Sequence, residues 1–203
     1  MWLILAFCSA ALLGFYDVCK KHALSGNAVL PVLFLNTAIC SLLFLPFIIL
    51  SSYTGLLDSS SFYVEPCGWE QHRYILLKAC IVLSSWIFGY FAMKHLPITI
   101  VGPINATRPV MVLVGALLVF GERLNVWQWA GVTLAIISFF LLKRSGKKEG
   151  VDFRHNKWIF SLILAAVLGA VSGLYDKYLM APPENGGVGL SRMVVQSWYN
   201  LYQ

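Results

Sequence analysis

The sequence predicts an all-α, polytopic transmembrane helix bundle. Three observations point to it: an apolar excess gathered into long runs, basic residues confined mostly to the gaps between runs, and a partial repeat of the first run in the sixth. Apolar residues make up 59% of the 203 residues and charged residues only 12%. An average soluble domain is about half apolar and about a quarter charged. The runs reach about 20 residues, the length a helix needs to cross a hydrocarbon layer about 30 Å thick. A β-barrel would need segments of about 10 residues with alternating polarity. These runs are apolar on every side, as helices facing lipid are.

The net charge of +6 is placed for a bilayer and not for nucleic acid. The lysines and arginines fall largely between runs, at the depth of lipid headgroups, so the expected partners are the lipid bilayer and a small-molecule substrate, with no nucleic acid. Cys8, Cys19, Cys40, Cys67 and Cys80 form no CxxC pair, so neither a zinc site nor a disulfide framework is expected. No cofactor or metal is called for. The first run begins at Trp2 with no basic residue before it, which is wrong for a secretory signal. Leu5-Ala6-Phe7-Cys8 makes a poor lipoprotein box because Phe7 is too bulky. The run is read as a retained first helix.

The runs follow in order. The first spans residues 2–19 and is closed by Lys20, Lys21 and His22. The second spans 28–50, with Pro31 in its first turn, where a missing N–H costs little. A polar segment over 51–73 follows, then a third run over 74–93, ended by Lys94, His95 and Pro97. The fourth covers 98–120 and ends at Gly121-Glu122-Arg123. The fifth covers 126–142, opened by Trp127 and Trp129 at the depth indoles prefer. A basic linker, 143–157, leads to the sixth run over 158–180. Residues 191–203 read as the opening of a seventh.

A shift of 159 positions lays the sixth run on the first. Leu3-Ile4-Leu5-Ala6 then matches Leu162-Ile163-Leu164-Ala165, Ala11 matches Ala170, Gly14 matches Gly173, and Tyr16-Asp17 matches Tyr175-Asp176. Eight of the fifteen positions from 3 to 17 are identical, against about two from apolar composition alone. Ala6, Ala10 and Gly14, like Ala165, Gly169 and Gly173, form a small-residue stripe on which helices approach closely. The acids need more than that. A carboxylate at depth is costly unless it is paired, hydrated or facing a cavity. Asp17 and Asp176 are therefore either site residues or interfacial acids paired with Lys20, Lys21 or Lys177. Five runs before a restart is an odd number, so a duplicated copy crosses the membrane inverted. Inverted repeats are a common plan of secondary carriers, with the site between the halves.

The fourth run is unusual. Pro103 and Pro109 withhold two backbone donors, and Asn105, Thr107 and Arg108 sit between them. Freed backbone at membrane depth is tolerated only against protein or a wet cavity. Arg108 lies about ten residues inside the run, too deep to reach water easily. It either anchors an anionic group in a central cavity or braces helices through Asp17 or Asp176. Trp86, Tyr90 and Phe91 either line a cavity or, as such residues more often do, pack or face lipid.

Other classes find little support. No GxxxxGK[ST] or GxGxxG is present, which argues against an ATP-driven pump in this chain. HExxH and GxSxG are absent and the four histidines are scattered, so an enzyme is not expected.

Pro103, Pro109, Gly121-Glu122-Arg123-Leu124, Gln128 and Gly131, followed by a last apolar run and a basic linker, resemble the end of the first repeat of EamA-type carriers of the drug/metabolite transporter superfamily. Gly14 to Lys20 resembles that family's first helix. The resemblance implies ten helices in two inverted five-helix repeats around a substrate cavity. It implies amino acids, other small metabolites, sugar derivatives or drugs as cargo; Arg108 tilts the expectation towards an amino acid or other anionic metabolite with a carboxylate or phosphate, with sugar-phosphate or nucleotide-sugar cargo as an alternative. It singles out Lys20 and Glu122 as the matching polar positions; Asp17 and Arg108 rest on the physical argument alone.

The expected organisation is a first repeat over 1–142, the linker over 143–157, and the start of a second repeat over 158–203. The expected candidate substrate contacts are Tyr16, Asp17, Lys20, Asn105, Arg108, Tyr175 and Asp176. Pro103 and Pro109 are the helix breaks, and Gly121 and Glu122 the repeat junction. With 203 residues the chain is expected to be a fragment or a short product; a short product would act as a half-carrier homodimer. The expected location is the cell (inner or plasma) membrane, multi-pass. The basic linker argues for a cytoplasmic linker and an outside Met1, whereas the family is described with both termini inside. Orientation stays open between the two.

Overall fold

A computed structural model describes residues 2–121, 123–146 and 155–203. The helices are α1 (Trp2–Leu24), α2 (Val29–Tyr53), α3 (Trp69–His95), α4 (Ile98–Ala106), α5 (Arg108–Phe120), α6 (Val126–Gly146), α7 (Lys157–Met180) and α8 (Arg192–Tyr202), with a 3-10 turn at Pro183–Asn185. No strand occurs among the described residues. Val29–Tyr53, Trp69–His95, Ile98–Phe120 and Lys157–Met180 are long and apolar enough to cross a membrane.

Each of the seven expected runs becomes helix, and the fourth becomes two. The division falls at Thr107, whose N–H and Oγ1–H both turn back to the Ile104 carbonyl, at 3.1 and 2.7 Å. Pro109 starts α5 where an N–H would in any case lack a partner. Gly121 ends α5 at φ 64°, a left-handed cap that glycine adopts without strain.

The boundaries expected from sequence need two corrections. Lys20 and Lys21 do not close α1; the helix continues to Leu24. Lys21 Nζ–H instead caps the end of α3, donating to the carbonyls of Met93 (2.6 Å) and Leu96 (2.8 Å), a favourable place for a cation at a helix C-terminus. α3 begins at Trp69, five residues before the apolar run, because Gln71 Oε1 accepts the Gly68 N–H at 2.8 Å and closes the first turn.

α3 and α7 make the most extensive helix pair. Small residues permit it: a Cβ on Gly89 would lie 3.7 Å from Ala165 Cβ, and Ser85 Oγ–H donates to the Ala165 carbonyl at 2.8 Å. The pair is antiparallel. Trp158, at the start of α7, stacks on His95 at the end of α3, with centroids 3.6 Å apart. Asp176, near the end of α7, reaches Lys78 near the start of α3. α1 runs the other way, parallel to α3: Tyr16 meets Tyr90, and Lys21 meets Met93. So α1 and α7, whose sequences match, cross the bundle in opposite directions.

Two apolar clusters close the ends. One gathers Leu24, Leu33, Met93, Leu96, Ile104 and Leu162. The other gathers Ile48, Val64, Ile75, Leu179, Leu190 and Val194. Along α3 their nearest buried members, Ile75 and Tyr90, are fifteen positions apart, about 22 Å at 1.5 Å per residue. The outer faces of α1 and α2 expose Phe7, Leu12, Phe15, Phe34 and Leu42, as a lipid-facing surface does.

Candidate functional site

Beside the first of these clusters, with Tyr90 and Met93 in its wall, lies a cavity of about 510 Å³. α1 supplies Tyr16, Asp17 and Lys20; α3 supplies Trp86 and Tyr90; the α4–α5 break supplies Asn105, Arg108 and Pro109. The size suits a small metabolite. The wall mixes aromatic faces with a few convergent polar groups.

Asp17 and Lys20 pair across one turn of α1 at 2.7 Å. The Lys20 ammonium also stands 4.7 Å from the Tyr16 ring centre and 5.4 Å from that of Tyr90, so its charge is shared between a carboxylate and two π-faces. The Tyr16 and Tyr90 hydroxyls meet at 3.0 Å. Asn105 turns a buried Oδ1 with no hydrogen-bond partner among the described residues.

Arg108 differs from these neighbours. It forms no ion pair among the described residues, and its buried Nε has no hydrogen-bond acceptor. The brace to Asp17 or Asp176, one of the two readings of this arginine, is absent. Both acids are already taken, Asp17 by Lys20 and Asp176 by Lys78. Among the described residues three cations thus face two carboxylates; Arg108 has no ion pair of its own and feels Asp17 only at longer range. At membrane depth that charge is costly unless water or a ligand answers it.

A smaller cavity of about 190 Å³ lies on the other side of Arg108, toward α7 and α8. Lys78, Asp176 and Tyr199 border it. Lys78 is 4% exposed and stands 4.5 Å from the Tyr199 ring centre.

The structure thus gathers Tyr16, Asp17, Lys20, Asn105 and Arg108 around one cavity and Asp176 around the next. Tyr175 is not with them. Its side chain packs instead against the second apolar cluster, where it stacks on Tyr178 at 5.8 Å and donates to the Tyr74 carbonyl at 3.3 Å. A Tyr-Asp pair occupies successive helix positions about 100° apart, so both cannot face one cavity unless it wraps around the helix, as the large one does around α1. Pro103 is exposed, and of the two prolines only Pro109 lines the cavity. Gly121 caps α5 away from the site, and Glu122 lies outside the described residues, as does most of the basic linker.

Lys78 is the residue that sequence reasoning passed over. It sits inside an apolar run, the same signal that drew attention to Arg108. Trp86 and Tyr90 prove to be cavity walls, whereas Phe91 stacks on Trp158. Among the described residues no group of histidine, cysteine or acidic side chains could hold a metal.

Membrane-length helices packed around a half-open, charged cavity define a polytopic membrane transporter. More narrowly, the chain belongs to the EamA-like transporter family, whose model matches residues 1–144. Members of that family are transporters. Among curated proteins the chain is similar to UDP-galactose transporter homolog 1 of Kluyveromyces lactis, at 23% identity over 84 residues. That match takes in 40% of this chain and a quarter (25%) of the relative's length. No solved structure matches the chain.

Proposed function

We propose that this protein is a secondary carrier of small organic anions in the cell membrane, with the cavity between α1, α3 and the α4–α5 break as its substrate site. The observation that carries the reading is Arg108: a deep cation at a helix break, bordering a cavity of metabolite size, with an unpartnered Nε and no ion pair among the described residues. A carboxylate or phosphate on the substrate supplies the missing charge through charge-assisted hydrogen bonds. Asp17 and Lys20 orient the substrate's polar groups, Asn105 offers its unpaired carbonyl oxygen, and Trp86 and Tyr90 cover the apolar part.

The opposed directions of α1 and α7, together with their matching sequences, support an inverted-repeat plan: a first unit over 1–142, a linker over 143–157 and a second unit from 158. In such a plan the two units rock about a shared site. A homodimer in which each copy supplies one unit is a second arrangement; crosslinking in membranes separates the two.

Counterflow in proteoliposomes loaded with labelled amino acids or sugar phosphates tests the function. Wild-type vesicles should exchange at least one anion class, and Arg108→Ala should abolish that exchange at equal protein content. Normal exchange by Arg108→Ala would remove this cavity as the substrate site. A nucleotide sugar is the second cargo reading, favoured by the name of the Kluyveromyces lactis relative and by the aromatic Trp86–Tyr90 wall; UDP-galactose in the same screen decides it.

A further inference from the structure

Arg108 borders both cavities. On its α1 side lies the Asp17–Lys20 pair, and on its α7 side the Asp176–Lys78 pair. Ser85 and Trp86 of α3 are common to both walls as well. Each carboxylate–lysine pair is neutral in itself, so the guanidinium is the charge that both compartments see.

The seat of Arg108 is specific. Its side chain lies across α7 at Gly169, where a Cβ would come within 3.2 Å of Cζ and Nε and 3.3 Å of Cδ. That is tighter than the ordinary contact of about 3.5–4.0 Å between carbon atoms. One turn on, Gly173 admits a different neighbour: a Cβ there would lie 3.0 Å from Val112 Cγ2. The two glycines of the α7 stripe therefore do different things. Gly173 lets α5 pack closely; Gly169 makes room for the cation.

We propose that the two cavities are compartments of one binding site for a singly charged organic anion, that Arg108 is the anchor both compartments share, and that Gly169 is the positioning residue that holds the guanidinium between them. This rests on the carrier reading above and deepens it to a charge class and a second compartment. With Arg108 seated on Gly169, an anion leaving one compartment exchanges N–H donors of the same guanidinium as it enters the other, and the cation is never left bare at membrane depth. The five-donor fork of arginine suits that exchange, where the single ammonium of lysine does not. A monoanion neutralises the spare charge. A dianion leaves one negative charge unmatched between Asp17 and Asp176.

The test uses the full chain in sealed proteoliposomes. Arylglyoxal modification of Arg108 is followed by peptide mass spectrometry, with pyruvate and succinate as probe anions at equal ionic strength. Pyruvate should slow the modification by about tenfold more than succinate, the ratio expected when one charge is unmatched. In Gly169→Ala the protection should fall by about tenfold, whereas Gly173→Ala should keep it and lose only thermal stability. A misfolded Gly169→Ala is controlled by the double variant. Arg108→Lys has no guanidinium to meet the new methyl group, so adding Gly169→Ala to it should change counterflow no further. Equal protection by the two anions, or wild-type protection in a folded Gly169→Ala, would overturn the proposal. Counterflow separates it from the carrier reading, which stands if wild type exchanges anions and Arg108→Ala does not, whatever Gly169→Ala does.

Discussion

Lys78 of α3 holds the carboxylate of Asp176 on α7, and so ties together by charge the two helices that small residues already bring close. The pair lies toward one end of the bundle; Ser85 and Ala165 join the same helices by a hydrogen bond two turns away. α3 and α7 thus form a rigid spine against which α1, α5 and α8 stand.

Breaking that pair from one side should cost more than deleting it. Lys78→Met leaves Asp176 without its cation, and a destabilisation of about 3 kcal/mol is expected. That is the lower end for a buried pair, because the Asp176 side chain is 29% exposed. The double variant Lys78→Met/Asp176→Leu should recover part of the loss. Thermal unfolding of the detergent-solubilised protein measures both.

The Tyr16–Tyr90 hydroxyl contact at 3.0 Å joins α1 to α3 across the large cavity. Tyr16→Phe removes that one neutral hydrogen bond, so a loss of about 1 kcal/mol is expected. Its effect on transport should appear as a raised KM for the counterflow anion with little change in maximum rate, because Lys20 loses part of its orientation but not its carboxylate. A drop in maximum rate at unchanged KM would contradict this.

Lys21 gives a contrast with its neighbour. Its ammonium sits on the last carbonyls of α3, outside the cavity. Lys21→Met should lower stability by about 1–2 kcal/mol and leave anion affinity unchanged, whereas Lys20→Met should lower affinity. Parallel melting and counterflow curves for the two variants check the separation.

In the segment between α2 and α3, burial and then the nearby Glu65 carboxylate push the Cys67 thiol up to about 11. Only the thiolate reacts with maleimide, so Cys67 should label about 100-fold more slowly at pH 7 than a thiol at its ordinary value near 9. The rate should climb with pH until about 11. Glu65→Gln should move that midpoint down by less than half of the shift, since burial is the larger cause. Quench-timed labelling of the Cys67 peptide across pH 7–11 measures it.

Much of this architecture is written in single residues and short runs. The seven apolar runs become helices because lipid offers the backbone no other partners. Of the two prolines expected to break the fourth run, Pro109 stands just after the division at Thr107, whereas Pro103 lies inside α4. Arg108 and Asp17 stand out because ionisable groups are rare inside apolar runs. The ion pairing was not legible. Lys20 could equally have been an interfacial lysine, and it is the continuation of α1 to Leu24 that carries it inside. Asp176 had a lysine beside it in sequence, Lys177, yet it is held by Lys78 from 98 positions away. Consecutive helix positions point about 100° apart, so the sequence neighbour faces elsewhere.

The sequence by itself determined that the chain is a multi-spanning helical membrane protein, where its helices lie, and that the stretch from Tyr16 to Asp17 returns in a second copy. Those facts depend on hydropathy, length and local backbone chemistry, which are properties of contiguous residues. Only the tertiary structure decided which charges pair among the described residues, that Arg108 has no ion pair there, that its side chain lies across Gly169, and that Tyr175 packs away from the cavities. Those facts depend on which faces of distant helices meet, and rotation about a helix axis is set by packing among neighbours and not by the run of residues along any one of them.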